Sequence, residues 1–128
     1  MITLDVHDRV ATITLNDPGR RNIVSAALNA AVIAGMDELE GRDDVGAVIV
    51  TVAPPAFCAG DDVADLEACT TEDDLRTIYA GFLRIAESPL PTVAAVNGPA
   101  VGAGLNLALG CDVILAGASA RFDTRFLK

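Results

Sequence analysis

Tryptophan is absent from the 128 residues, and aromatics as a whole make up only 4%. Bases are scarce as well: nine Lys and Arg stand against eighteen Asp and Glu, for a net charge of −9. With no Lys/Arg stripe, that balance excludes a nucleic-acid surface. It also opposes anionic ligands at long range, although a few local bases and helix N-termini outweigh a diffuse field at contact distance. No apolar run approaches the roughly 20 residues that cross a bilayer, so no membrane partner is expected. The opening MITLDVHDR has neither the basic start nor the apolar stretch of a signal peptide, and a cytoplasmic location is expected. Cys58, Cys69 and Cys111 are odd in number and at no metal spacing, which predicts reduced thiols and no metal site.

What the chain has in quantity is aliphatic residues in short periodic runs. Hydrophobic residues reach 52%, enough for one globular core in one domain. Residues 2–6 and 11–15 alternate (Ile2, Leu4, Val6, then Ala11, Ile13, Leu15), which predicts two strands sharing a buried face. NDPGRRN at 16–22 is turn chemistry containing two bases. A helix is expected near 25–40 on the stripe Leu28, Val32, Met36, Leu39, with Gly41 as its stop. A second is expected near 72–87, opened by Thr71 and Asp74 and striped by Leu75, Ile78, Phe82 and Ile85. The runs 47–52, 92–96 and 113–116 read as strands buried on both faces. Strands alternating with helices predict an α/β fold with parallel pairing.

Two loops follow buried strands and carry glycine: FCAGDD after 47–52 and NGPAVGAG after 92–96. Glycine lets the main chain approach a ligand, and the second loop opens a short helix. One backbone N–H from each could converge on a carbonyl oxygen and hold it as it becomes an enolate. The bland alternative is that these glycines serve tight turns and close packing alone. Gly98, Gly102 and Gly104 do not form G-x-G-x-x-G, and no Gly-Lys-Ser/Thr occurs, so dinucleotide and P-loop sites are excluded.

Three ordered stretches, PGRRNIVSAAL (18–28), AFCAGDDVADL (56–66) and PTVAAVNGPAVGAGLNLALGCDVILAGASARF (91–122), resemble the crotonase (enoyl-CoA hydratase/isomerase) superfamily. The resemblance covers nearly the whole chain and corresponds to the N-terminal half of that family. It implies a truncated crotonase-like (ClpP/crotonase) fold of repeated strand–strand–helix units, with residues 1–128 forming a partial acyl-CoA-binding domain. The implied ligand is an acyl-CoA thioester, with coenzyme A as part of the substrate and no separate cofactor. The implied assembly is a homo-oligomer, a trimer or hexamer.

By the same resemblance the thioester oxygen lies between the backbone N–H groups of Asp61 and Ala103. Arg21, Ile23, Ala59, Asp62, Val63, Gly102, Asn106 and Phe126 match substrate-binding positions, with Arg20 and Arg21 toward the CoA nucleotide. Two departures stand out. Asn106 occupies the place of the first hydratase glutamate and Phe126 that of the second, and an amide or a phenyl ring transfers no proton at neutral pH. The Asp61 carboxylate is also expected to repel a developing enolate unless it points to solvent. Two readings therefore stay open: an enoyl-CoA hydratase/isomerase-like enzyme, or a non-catalytic acyl-CoA-binding or regulatory protein, including an inactive truncated remnant. The discriminating feature is a carboxylate (Asp62, Asp65 or Asp123) facing the thioester.

Overall fold

The alternation at the N-terminus folds into an antiparallel hairpin, β1 (Ile2–His7) and β2 (Val10–Leu15), paired from Ile2↔Leu15 to His7↔Val10. The computed structural model describes residues 1–125. Beyond the hairpin every pairing in the main sheet is parallel, because a helix intervenes before each return: β3 (Ala47–Val52) joins β2, β4 (Thr92–Val96) joins β3, and β6 (Val113–Ala116) joins β4. The order is β1-β2-β3-β4-β6, with a small parallel sheet of β5 (Pro99–Val101) and β7 (Arg121–Asp123) beside it.

α1 (Ala26–Glu40) begins where the Ser25 side chain accepts the Leu28 N–H, a cap that satisfies one of the four unpaired amides of a helix start. It buries Leu28, Val32, Met36 and Leu39, the expected stripe, on one sheet face. That face is lined by Ala11, Ile13 and Leu15, then Val48, Val50 and Val52, then Ala94 and Val96, all essentially closed to solvent.

The strands are not buried on both faces as expected. On the opposite face one row runs Thr12–Ile49–Val93–Val113 and the next Thr14–Thr51–Ala95–Leu115. These residues are half-open through β2 to β4, and at β6 Val113 and Leu115 are 50% and 62% exposed. The helices lie against the first face and the β5/β7 end, so a continuous apolar run met cover on one side only.

The second expected helix is broken into α3 (Glu72–Ile78) and α4 (Ala80–Ala86) at Tyr79, where φ and ψ leave the helical range. The cause is a buried amide on α1. Asn29 donates to the Ile78 carbonyl and accepts the Gly81 N–H at 3.1 Å, filling the gap that the break opens. Gly81 has to be small here, since a β-carbon would lie 2.4 Å from the Asn29 amide oxygen. The apolar stripe gives no sign of this, because it is continuous across Tyr79. The capping box at Thr71 and Asp74 forms as expected. A short helix, α2 (Val63–Glu67), follows the first glycine loop where no element was expected, and the strand β5 lies within the second loop; α5 (Ala103–Leu109) follows β5.

Candidate functional site

Both glycine loops leave the same end of the sheet and pair with each other. The Cys58 N–H donates to the Pro99 carbonyl at 3.1 Å, and the Val101 N–H donates back to the Cys58 carbonyl at 2.9 Å. On the other flank, segment 21–24 joins the same ladder. Ala59 N–H donates to Arg21 O at 3.1 Å, Val24 N–H to Gly60 O at 2.8 Å, and Asp62 N–H to Val24 O at 3.0 Å. On the far side Gly102 N–H donates to Asp123 O at 2.8 Å. Segments 21–24, 58–62, 99–102 and 121–123 thus run side by side, all parallel. This ladder brings Arg21, Ile23, Ala59, Asp61, Asp62, Gly102 and Ala103 to one end of the fold.

The glycines have specific work in the ladder. Gly60 (φ 110°) and Gly102 (φ 54°) occupy left-handed backbone that side chains rarely adopt. Gly104 is required by closeness: a β-carbon there would lie 2.2 Å from the Cys58 carbonyl oxygen. Ala103 is the first residue of α5 and is buried, while the Gly102 cap offers no side chain. Asn22, the last residue of the 16–22 turn, is fully buried and donates to both Ala53 O and Ala56 O at 2.9 Å. It also accepts the Asp17 N–H at 2.8 Å, which fixes the 17–22 turn against the loop after β3. An Asn in a turn with two bases was the available signal.

Arg21 is exposed and makes no side-chain ion pair among the described residues. With Pro55, Ala56, Ala59, Pro99, Val101 and Arg125 it borders a cavity of about 360 Å³ between the loops. Arg20 turns away to Asp62 at 2.5 Å, and this hydrogen-bonded pairing pushes the guanidinium up and the carboxyl down from their ordinary ranges. Asp62 also caps α2 by accepting the Ala64 N–H. Val63 is exposed on α2, and Asn106 is exposed on α5 with no side-chain hydrogen bond among the described residues. Phe126 lies outside the described residues.

None of the three carboxylates singled out from the sequence lines that cavity. Asp62 is held by Arg20. Asp65 accepts the Ala26 N–H at 3.2 Å and borders a separate cleft of about 420 Å³ among α1, α2 and α3. Asp123 takes the Arg125 N–H at 2.9 Å and its guanidinium at 3.3 Å. The carboxylate that does stand at the junction is Asp61 itself, and it does not point to solvent. The residue is partly buried, and Oδ1 is sealed off with no hydrogen-bond partner. Burial pushes its pKa up, against the hydrogen bond of the Tyr79 hydroxyl and the residue's own amide. Tyr79 is in turn pushed up, by burial and then by the charge of Asp61. Cys58, pushed up to about 11 by burial, is an inert core thiol.

The family model described as enoyl-CoA hydratase/isomerase matches residues 5–128. The chain is 50% identical over 130 aligned positions to the probable enoyl-CoA hydratase EchA14 of Mycobacterium tuberculosis, covering 99% of this chain and 51% of that protein. It is 36% identical to the 1,2-epoxyphenylacetyl-CoA isomerase of Escherichia coli, covering 96% of this chain and 50% of that one. A solved enoyl-CoA hydratase/isomerase from Pseudoalteromonas atlantica superposes with a TM-score of 0.83 at 33% identity, over 98% of this chain and 50% of its own. The chain spans about half the length of the curated relatives it matches.

Proposed function

Because this chain belongs to the enoyl-CoA hydratase/isomerase family, we propose that it binds an acyl-CoA thioester where its two glycine loops meet. In this reading the Asp61 and Ala103 N–H groups hold the thioester oxygen and stabilise it as an enolate. The supporting observation is the ladder: Cys58 exchanges hydrogen bonds with Pro99 and Val101, which sets the two loops side by side. Such stabilisation costs no side chain, so Ala103 serves as well as glycine would. Arg21, Ile23 and Ala59 flank the CoA portion.

Water addition is a different matter. It calls for a positioned acid and a positioned base, and Asn106 supplies neither. The reading is therefore acyl-CoA binding with enolate stabilisation rather than hydration. The test is calorimetric titration of the chain with a saturated short acyl-CoA. Ala103→Pro deletes only the N–H in question, at a first helical position where proline is tolerated. Micromolar binding lost in Ala103→Pro, with the melting transition retained, supports the reading. Equal binding by both proteins refutes the oxygen's placement.

A further inference from the structure

Asp61 Oδ1 is the one buried side-chain polar atom left without a hydrogen-bond partner among the described residues, and it hangs from the residue whose amide is assigned to the thioester oxygen. Buried polar groups normally find partners, and an exception calls for a reason. We infer that Asp61 is the proton-carrying group of this site, moving a proton from the acyl α-carbon while its own amide holds the resulting enolate oxygen. The inference rests on the acyl-CoA reading above and adds the reaction class: double-bond migration, not hydration.

The placement follows from covalent geometry. The α-carbon of a thioester is separated from the carbonyl oxygen only by the carbonyl carbon, and the Asp61 carboxyl is separated from its amide only by its own Cα and Cβ. An oxygen seated on that amide brings the α-carbon within reach of the carboxyl. Part-burial already holds the Asp61 carboxyl above its ordinary range, so it is a stronger base than a solvated aspartate.

The groups facing Asp61 suit a base of this kind. Tyr79, Cys58 and Cys69 are the titratable neighbours, and none of them brings a positive charge. Tyr79 itself sits at the break between α3 and α4. The electron balance also removes the repulsion expected between this carboxylate and an enolate. The carboxylate takes the α-proton and becomes neutral; the C–H pair forms the new C=C and the carbonyl π pair moves to oxygen. Negative charge passes from one group to the other and is never doubled. With a 3-enoyl thioester, return of the proton from Asp61 to the γ-carbon yields the conjugated 2-enoyl thioester. One carboxyl suffices for that transfer, and no external reactant is consumed.

The test uses 3-butenoyl-CoA, followed by the absorbance of the conjugated product, with affinity measured separately by calorimetry. Asp61→Asn keeps the amide and removes the base. The rate should fall about 10²–10⁴-fold, with acyl-CoA affinity changed less than about tenfold. Tyr79→Phe removes a hydrogen bond that favours the carboxylate, so the acid limb of the rate profile should move to higher pH. Because Oδ1 is buried without a partner, Asp61→Asn should melt no lower than the wild type, which a structural role for Asp61 would not allow. Tight binding by the wild type with no isomerisation, or isomerisation by Asp61→Asn at the wild-type rate, overturns the inference and leaves the binding reading intact. Failure of the wild type to bind any acyl-CoA overturns both.

Discussion

Gly104→Ala isolates the contact on which the site depends. The added β-carbon would lie 2.2 Å from the Cys58 carbonyl oxygen, 2.7 Å from its Cβ and 2.8 Å from its carbonyl carbon. Two of those three atoms are backbone, so no flexible side chain can swing aside. The loops must separate or α5 must shift. Overpacking of this kind costs about 1–3 kcal/mol, and an obstacle that is mostly the Cys58 backbone puts the figure near the top. Against it stands a helix-propensity gain of at most about 1 kcal/mol from replacing glycine. The net loss is about 2 kcal/mol, a fall in Tm of several degrees for a domain of this size. Gly41→Ala is the matched control: its nearest obstacle is 3.5 Å away and its backbone is right-handed, so it should be neutral or slightly stabilising. Thermal melts of the two variants decide. A Gly104→Ala protein as stable as Gly41→Ala would mean that the loops are not locked together as described.

Purified chain should hydrate a short 2-enoyl-CoA at the uncatalysed rate, measured by loss of enoyl absorbance, and robust hydration would show that other groups do the work. Arg84→Met should destabilise the α1–α4 pairing, since Arg84 bonds Asp37 and Glu40 and Ser88 donates to Glu40 at 2.7 Å. The Glu40 carboxyl is held below its ordinary range chiefly by Arg84, so its contribution is fully present above the usual glutamate pKa and lost as the pH falls through the lowered one. The gap between Arg84→Met and wild type in urea melts should therefore close toward acid pH. Leu109, Val113, Leu115 and Phe122 are exposed by 46–62%, so the 128-residue chain should self-associate at low micromolar concentration, read by light scattering after chromatography. A sharp monomer would refute that.

The fold was legible wherever a period and a stop coincide. The hairpin, α1 with its four-residue stripe, and the capping box before α3 each combine local propensity with a defined end. What failed was cover and continuity. A run such as Ala47–Val52 reads the same whether one face or both are packed, because apolar content records what a strand tolerates and not what lies against it. The break at Tyr79 is set by Asn29, nearly fifty residues earlier, and no window along the sequence contains both partners.

At the site, Arg21, Ile23, Ala59, Asp61, Asp62, Gly102 and Ala103 come to one end of the fold through main-chain pairing rather than side-chain chemistry, whereas Val63 and Asn106 are exposed on α2 and α5 and Phe126 lies outside the described residues. Ala59, Gly60 and Asp62 pair with Arg21 and Val24, and Cys58 with Pro99 and Val101, so backbone hydrogen bonds alone set the spacing of the candidate amides. Side-chain identity at Asp61 is then free of any duty to the fold, which is why a carboxylate can stand there at all. Sequence reasoning weighed that carboxylate only as a charge beside an enolate. Its part-burial and its unpartnered Oδ1 are set by the tertiary packing, and together they change its meaning. A fixed negative charge would oppose the reaction, whereas a carboxylate that accepts the proton gives up its charge as the enolate forms. Asn106 and Phe126, which carry no acid, are thus compatible with proton transfer, provided the chemistry needs only one group.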